Sequence, residues 1–452
     1  MTLSINSLPR DLGGGLIVRR SQAADADALA TFYSLIFKLR DPEQPNPYIA
    51  DWVRDLACGS HPTFHADDFF LVEDRNNKEI VCALNLISQT WSYAGIPFGV
   101  GRVELVATKP EHRNKGLVRL LFEELHRVSA KRSEMIQAIT GIPYFYRQFG
   151  YEMTVNLGAG RMMLKAHAPA LKADQTEPYR IRPAREADLP FIGAVYEHAC
   201  RRYLLACLRD EQLWRYELAG RTGLNLNQRV TCVIESAEER PVGYLMHAPV
   251  QQGATLWVHQ WEMIEGQSWG AVAPSVLRYL KATGEDYQAQ GKKSITTKED
   301  FTLIGFGLGA DHPAYRVMES RLTKLEEPYA WYIRVADLPT FLRHIAPAIE
   351  QRLARSVLVG HTGSLKLSFY RQGVRLAFEY GRLMTVESWK PTPDDEGSAG
   401  FPSLTFLQLL FGYRDLNELR YAFPDCWTEN DEAAALLNAL FPKQNSEIWA
   451  VA

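Results

Sequence analysis

Residues 101–118 read GRVELVATKPEHRNKGLV. Residues 103–108 have the composition of a β-strand, and from Leu117 onward apolar residues recur at helical spacing. The turn between them is basic and contains one glycine, Gly116. A helix N-terminus offers free backbone N–H groups to an anion, so a pyrophosphate is the expected occupant. The alternative is a strand-to-helix turn that is basic for no functional reason.

The length and composition describe an ordinary globular protein. The chain has 452 residues, which corresponds to roughly three domains. Hydrophobic residues make up 46% and charged residues 23%, and the net charge is -3. Such a balance provides no basic field for nucleic acid, so no nucleic-acid partner is expected. The six cysteines contain no C-x-x-C pair, and Pro62 argues against a helical His61/His65 pair, so no metal site is expected.

The same composition bears on cellular location. No stretch of 18 consecutive apolar residues is present, so no membrane span is predicted. Residues 1–9 lack the basic and apolar regions of a signal peptide. We therefore expect a cytoplasmic protein.

Two segments of the chain resemble each other. Residues 18–25 read VRRSQAAD and residues 181–188 read IRPAREAD, an offset of 163 residues. In each case a β-type segment runs into Ala-Asp and then into a stretch of helical periodicity. This predicts two copies of one domain.

The composition and periodicity of the sequence change at two further places. Residues 165–178 are rich in Ala, Pro and polar residues without periodicity, as in a linker. After about residue 334, a helical pattern from Leu338 to Leu353 precedes two alternating strands, 365–369 and 374–378, and a helix over 404–411. We predict domains at 1–165, 179–334 and 335–452, the third of them α+β.

A second motif follows the basic turn. Residues 141–151 read GIPYFYRQFGY. The turn resembles the pyrophosphate loop of the GCN5-related N-acetyltransferases, Arg/Gln-x-x-Gly-x-Gly/Ala, at Arg113 and Gly116 and departs from it at Val118. The Tyr-x-x-Phe-Gly-Tyr ending from Tyr146 to Tyr151 is similar to many members of that family.

Taken in order, the whole chain resembles the enhanced intracellular survival (Eis) family. This resemblance implies an α/β (α+β) fold with two tandem acetyltransferase-like mixed-sheet domains, the second degenerate, and a sterol-carrier-like α+β domain. It implies a homo-oligomer, often a hexamer. The implied activity is acetyl-CoA-dependent transfer of an acetyl group to a primary amine of a small or polycationic acceptor, such as an aminoglycoside-like compound or a lysine side chain.

The resemblance also implies roles for individual residues. The backbone of Leu105, Val106 and Ala107 is implied to bind the pantetheine arm and the acetyl carbonyl. Tyr146 is the implied general acid, and the terminal carboxylate of Ala452 the implied base, although the best-known member ends in a bulkier aromatic residue. The remaining implied cofactor contacts are the pyrophosphate loop Arg113, Asn114, Lys115, Gly116, Leu117 and Val118, and Gly141 and Ile142 near the sulfur.

Several alternatives stay open. Glu104 is the rival base, acting through water, unless it is a solvated strand position. Tyr146 could be part of an aromatic core. Trp257, His259 and Trp261, followed by Glu262 and Glu265, wall either an acceptor pocket or an aromatic core between domains. The whole protein could instead be a catalytically inactive lipid-binding or scaffold protein, because Val118 leaves less room for phosphates.

The second copy contains a weaker form of the loop. Residues 267–272 read QSWGAV, with the spacing of the first loop but no flanking cation and a tryptophan in the turn. Phosphate binding should be poor there. We therefore predict that the second copy is a scaffold.

Overall fold

The computed structural model of the protein describes residues 8–39 and 43–452. Residues 1–7, which hold most of the N-terminal segment discussed above, and residues 40–42 lie outside the described residues. The described chain folds into mixed β-sheets covered by helices, so the predicted α/β class is confirmed. None of the described helices is long and apolar enough to span a bilayer.

The strands of the described residues are β1 (Arg10–Gly13), β2 (Leu16–Arg20), β3 (Phe69–Asp74), β4 (Glu79–Tyr93), β5 (Ile96–Thr108), β6 (Ile136–Thr140), β7 (Glu152–Leu157), β8 (Gly160–Leu164), β9 (Tyr179–Pro183), β10 (Leu205–Leu208), β11 (Val230–Ser236), β12 (Pro241–His247), β13 (Thr255–Met263), β14 (Leu303–Phe306), β15 (Leu322–Glu326), β16 (Tyr329–Val335), β17 (Gly363–Ser368), β18 (Gly373–Glu379), β19 (Arg382–Trp389), β20 (Ala399–Gly400) and β21 (Trp427–Thr428).

The α-helices of the same residues are α1 (Ala26–Ile36), α2 (Pro47–Ala57), α3 (Leu117–Lys131), α4 (Leu189–Cys200), α5 (Glu211–Arg215), α6 (Trp269–Ala289), α7 (Pro313–Met318), α8 (Leu338–His344), α9 (Ala346–Ala354), α10 (Phe406–Leu410), α11 (Leu416–Ala422) and α12 (Asp431–Leu440). The helical pattern from Leu338 to Leu353 thus forms two helices. Pro347 lacks an N–H group and its ring clashes with the carbonyl four residues earlier, which separates α8 from α9.

Three sheets organise the chain. The first runs β1-β2-β3-β4-β5-β6-β16-β7, with β10 added to the far end of β4. The second runs β15-β8-β14-β13-β12-β11-β9, and the third runs β19-β18-β17-β20-β21. The strand predicted over 103–108 lies in β5, and the helix predicted from Leu117 is α3.

The first two sheets exchange strands. β16 follows the whole second sheet in the chain, yet it lies between β6 and β7 of the first sheet. In return, β8 of the first predicted domain pairs with β14 and β15 of the second sheet. The boundaries 1–165, 179–334 and 335–452 stay a prediction about the chain, and the sheets are interlocked across the first two of them.

An ion-pair motif repeats in the two sheets. Arg19 of β2 binds Asp25 before α1 and Glu73 on the neighbouring strand β3, at 2.7 and 2.6 Å. At the same place in the second sheet, Arg182 of β9 binds Asp188 before α4 and Glu235 on β11, at 2.7 and 2.8 Å. The offsets are 163, 163 and 162 residues, so the repeated architecture extends to the side chains that fix each helix to its sheet.

The third sheet shares a core with the first. Trp91, Tyr93 and Phe98 of the first sheet are buried together with apolar residues of α8 to α12 and of β17 to β19. The Tyr93 hydroxyl donates to the Leu410 carbonyl at 2.8 Å and accepts a hydrogen bond from Arg352 at 3.0 Å. The third domain is therefore packed directly against the back of the first sheet.

The strand exchange makes a prediction about stability. Ile333 of β16 is fully buried, so Ile333→Ala should cost about 2–4 kcal/mol. Its partners are Ala138 of β6 and Glu152 of β7, so amide hydrogen exchange should accelerate first in β6 and β7, although Ile333 belongs to the second unit by sequence. The control is Ile304→Ala in β14, equally buried in the second core. Faster exchange confined to the second sheet in Ile333→Ala would contradict the expectation.

Candidate active site

A cleft opens where two neighbouring strands separate. β5 and β6 are paired in parallel from Val100–Ile136 to Val103–Ile139 and no further. Beyond Val103, β5 contains a bulge, in which Leu105 and Val106 lie opposite Leu84 alone and Leu105 has φ of +55°. The edge of β5 that faces away from β4 is therefore available to a ligand over residues 104–108.

The backbone at the start of α3 is open. Within the described residues, none of the N–H groups of residues 114–119 has a hydrogen-bond acceptor, and the first amide to find one is that of Leu120, which donates to Gly116 at 3.1 Å. Gly116, with φ of +75°, starts the helix without a side-chain cap. A Cβ placed on Gly116 would meet nothing within 4 Å, so space lies in front of these amides.

The side chains of the turn add positive charge to the same space. Residues 113–116 are all exposed, and Arg113 and Lys115 have no carboxylate partner among the described ion pairs. Within the described residues, the Arg113 side chain makes one long hydrogen bond, of 3.5 Å, to the Thr108 carbonyl. Val118 rests against the core beneath α3. The arrangement therefore fits a diphosphate group in charge and in hydrogen-bond capacity.

The matching helix of the second sheet is different. α6 begins after Ser268, whose hydroxyl accepts from the Ala271 N–H at 3.3 Å. Trp269 in the same turn packs on Trp261, with ring centroids 5.4 Å apart. This helix terminus is capped by its own sequence and its turn is occupied by an aromatic ring, which agrees with the scaffold role predicted for the second copy.

Tyr146 lies beside Gly141, where β6 ends. It belongs to a 3-10 turn, Phe145–Phe149, that is held against α3 by stacking of Phe149 on Phe122 at 4.4 Å. The Tyr146 ring is buried in an aromatic cluster, as the core alternative expected, and has 5% of its surface exposed. The Tyr146 hydroxyl lies close to Gly141, the residue after β6. A Cβ placed on this glycine would be 3.0 Å from the hydroxyl oxygen.

The environment of Tyr146 keeps its proton in place. Burial raises the pKa of the Tyr146 phenol well above its ordinary value, and the nearby Glu104 carboxylate and Tyr332 raise it further. The hydroxyl is therefore neutral at any physiological pH. It can act as a hydrogen-bond donor or as an acid, and it cannot act as a base without prior loss of its proton.

Two tyrosines that the sequence did not identify complete this side. Tyr329 of β16 donates its hydroxyl hydrogen to the Gly141 carbonyl, and the Tyr332 hydroxyl accepts from the Tyr144 N–H at 3.2 Å. Both come from the exchanged strand. The β-type pattern of residues 329–335 indicates a strand, but nothing in it indicates that this strand belongs to the first sheet.

The last residue of the chain, Ala452, lies beside the β5 bulge. Ala452 is 2% exposed and belongs to the same buried cluster as Leu105 and Ala107. Its carbonyl oxygen accepts from Nε and Nη2 of Arg221, at 3.2 and 3.1 Å. The structure therefore brings the predicted base next to the strand that was predicted to hold the acetyl group.

The rival base, Glu104, is held in an ion pair. Its Oε1 accepts from Nε and Nη2 of Arg102, at 2.9 and 2.6 Å. Arg102 also reaches the carbonyls of Ala450 and Val451, at 3.4 and 3.5 Å. Glu104 is thus a half-buried part of the contact between β5 and the C-terminal segment, and the solvated-strand alternative is wrong.

Two of the residues considered for an acceptor wall, Trp261 and Glu262, lie in the interior of the second unit. Trp261 is fully buried within the core of the second sheet, and Glu262 is fully buried between Arg202 and His312, at 2.6 and 3.2 Å. Burial raises the pKa of Glu262, but His312 and Arg202 outweigh it and lower the pKa below the ordinary value. These side chains stabilise the interior of the second unit and do not line a pocket between domains.

The first part of the chain matches a known protein family. Residues 17–154 match the family model described as an acetyltransferase (GNAT) domain, which spans the first sheet from β2 into β7. The match covers most of the first unit and includes the cleft. Comparison with curated proteins finds no match to the sequence.

Solved structures share the fold over nearly the full length. A probable N-acyltransferase from Enterococcus faecalis V583 has a TM-score of 0.65 at 14% identity and covers 95% of this chain and 97% of its own. A GCN5-related N-acetyltransferase from Kribbella flavida has 0.64 at 17%, covering 97% and 98%. Eis1 from Mycobacterium abscessus has 0.59 at 15%, covering 97% and 99%. At these identities the likeness shows the fold alone, including its arrangement of successive units.

Proposed function

We propose that this chain, whose first unit matches a GNAT acetyltransferase domain, transfers the acetyl group of acetyl-CoA to a primary amine of a small or polycationic acceptor. An aminoglycoside-like compound or a lysine side chain fits that description. The observation that supports the proposal most directly is the row of unpaired amides at residues 114–119 beside Arg113 and Lys115. Such a site suits the diphosphate of coenzyme A.

The donor would lie along the separated strands. Its diphosphate would be bound by the Arg113 side chain and the N–H groups of residues 114–118. Its pantetheine arm would follow the free edge of β5 at Leu105, Val106 and Ala107, where the peptide groups can replace the missing strand. The sulfur would reach Gly141 and Ile142, the latter 63% exposed at the mouth of the cleft.

Tyr146 is proposed as the general acid. When an amine attacks a thioester, the departing thiolate requires a proton and the carbonyl oxygen requires hydrogen-bond donors. Tyr146 stays protonated and its hydroxyl lies beside Gly141, where the sulfur is expected. The backbone N–H groups of the β5 bulge are the proposed donors to the carbonyl oxygen.

The C-terminal carboxylate of Ala452 is proposed as the base. Its buried position next to Leu105 and Ala107 supports this role, because water is excluded around it. Glu104 is the competing group, although one of its oxygens is engaged by two N–H groups of Arg102. The fold similarity to Eis1 is consistent with an Eis-like organisation of the chain. A sterol-carrier-like third domain, assembly as a homo-oligomer such as a hexamer, and a cytoplasmic location are part of the same proposal. The open, basic turn before α3 argues against the alternative of an inactive lipid-binding or scaffold protein.

The binding of coenzyme A tests the first step. Arg113→Glu places an anion before the open amides, so the dissociation constant for acetyl-CoA should rise about 10- to 100-fold, which corresponds to about 1.4–2.7 kcal/mol. Isothermal titration calorimetry measures it. The control is Arg316→Glu, the same charge change at an exposed residue of the second unit. No binding by the wild-type chain would remove the proposal, and equal affinity of Arg113→Glu would remove the assigned loop.

The role of Tyr146 is tested by removing one oxygen. Tyr146→Phe keeps the packed ring, so acetyl-CoA affinity should stay within about twofold while kcat falls about 100-fold. Thiol release with a panel of amines gives both quantities. Tyr144→Phe, in the same turn but 71% exposed, is the matched control and should behave like the wild type. Unchanged turnover in Tyr146→Phe would exclude the hydroxyl as the acid.

The two candidate bases give opposite results when each is altered. Adding two residues after Ala452 displaces the carboxylate and should lower kcat about 100-fold at unchanged acetyl-CoA affinity, if this group accepts the proton. Glu104→Gln should then retain most of the activity. If the extended chain is active and Glu104→Gln is inactive, the base is Glu104.

A further inference from the structure

Side chains from two units hold the C-terminal segment at successive carbonyl groups. From the first unit, Gln89 donates to the Val451 carbonyl at 2.7 Å, and Arg102 reaches the carbonyls of Ala450 and Val451. From the second unit, Arg209 donates to the Trp449 carbonyl at 2.7 Å, and Arg221 donates to Ala452. The four carbonyls of residues 449–452 thus each have a side-chain donor.

The donors of the second unit form one buried ionic network. Glu217 binds Arg221 in an ion pair and lies 3.5 Å from Arg209. All three side chains are more than nine-tenths buried. Burial raises the pKa of Glu217, but Arg221 and Arg209 outweigh it and lower the pKa below the ordinary value, so Glu217 is ionised. The guanidinium groups also lie over the rings of Tyr216 and Trp214, at 4.9 and 4.6 Å.

The charges of this network are incomplete without the end of the chain. Arg229, which acts electrostatically on Glu217 and Arg221, adds a third guanidinium group, and the buried Asp55 carboxylate beside Tyr216 adds a second carboxylate. One positive charge therefore remains in a buried site, where an unbalanced charge is costly. A carboxylate at Ala452 supplies the missing negative charge, and Arg221 already binds an oxygen of that residue. The Ala452 oxygen bridges Nε and Nη2 of Arg221, the edge of the guanidinium that carboxylates commonly bind.

We propose that Arg221, held by Glu217, is a positioning residue that fixes the Ala452 carboxylate over the β5 bulge. The second unit, whose own helix terminus is closed, thereby contributes to acetyl transfer in the first. The inference rests on the proposed function, since it assigns the device that aligns the proposed base. Arg221 touches neither donor nor acceptor. It acts through the chain terminus, where a displacement of about 1 Å suffices to lower the rate strongly.

The test compares four variants of the full chain, one of which, Arg221→Lys, restores the positive charge. Arg221→Gln removes the contact but leaves Glu217 without its main partner, so the double variant Glu217→Gln/Arg221→Gln is made as well, which keeps the buried charges balanced. Arg182→Gln is the control, because it removes a half-buried arginine with two carboxylate partners elsewhere in the same unit. Melting temperatures establish that each variant is folded.

Both Arg221→Gln variants should lower kcat about 10- to 100-fold, with the acetyl-CoA dissociation constant within about twofold of the wild type. The acid limb of the pH–rate profile should move to higher pH, because a carboxylate base that loses a neighbouring cation is ionised less readily. Arg221→Lys should recover part of the rate. Arg182→Gln should keep the wild-type kcat and pH profile. Wild-type kcat and pH profile in the double variant, or the same losses in Arg182→Gln, would overturn the proposal.

A second measurement separates this proposal from the proposed function. Amide hydrogen exchange of residues 446–452 should accelerate at least tenfold in both Arg221→Gln variants and stay slow in Arg182→Gln. If the wild-type chain transfers no acetyl group to any amine, the proposed function fails, and this exchange still reports whether Arg221 holds the segment. Unchanged protection of the segment in the double variant would overturn the positioning role, whatever the activity.

Discussion

Backbone N–H groups require acceptors, and the structure depends on where the chain leaves this requirement unmet. Several helices begin with a side-chain acceptor of their own, among them α2 at Asn46, α5 at Asp210, α6 at Ser268 and α12 at Asn430. α3 begins at Gly116, and the amides before and within its first turn point to open space. The sequence therefore leaves donors unpaired at the one helix end where β5 and β6 also separate.

The two copies show which parts of the repeated architecture belong to stability. The network of Arg19, Asp25 and Glu73 is repeated by Arg182, Asp188 and Glu235, because each copy must fix its first helix to its sheet. The turn before the central helix is not repeated, since Ser268 and Trp269 replace the basic, open loop. The ion-pair network that fixes a helix to its sheet and the open anion site are thus separable features of one fold. Of the two described units, the first has both and the second has the network alone.

Much of the fold could be predicted from periodicity. The strands over 103–108, 365–369 and 374–378 and the helix from Leu117 follow from local patterns, and the structure has them with small differences at the ends. The exchange of β8 and β16 could not be predicted, because pairing partners are chosen by packing between distant segments. Tyr329 and Tyr332 were missed for that reason. For Trp261 and Glu262 the choice between pocket wall and core stayed open, because an apolar-polar alternation does not distinguish the two.

The interlocked sheets explain why a second unit without an open loop still matters to the cleft of the first. β16 reaches the cleft only after the chain has completed the second sheet, and it carries Tyr329 and Tyr332 to Gly141 and Tyr144. The C-terminal segment reaches the same cleft after the third domain and is bound by Arg209 and Arg221 of the second unit. The cleft is therefore assembled from the beginning, middle and end of the chain, and its geometry depends on the packing of all three units.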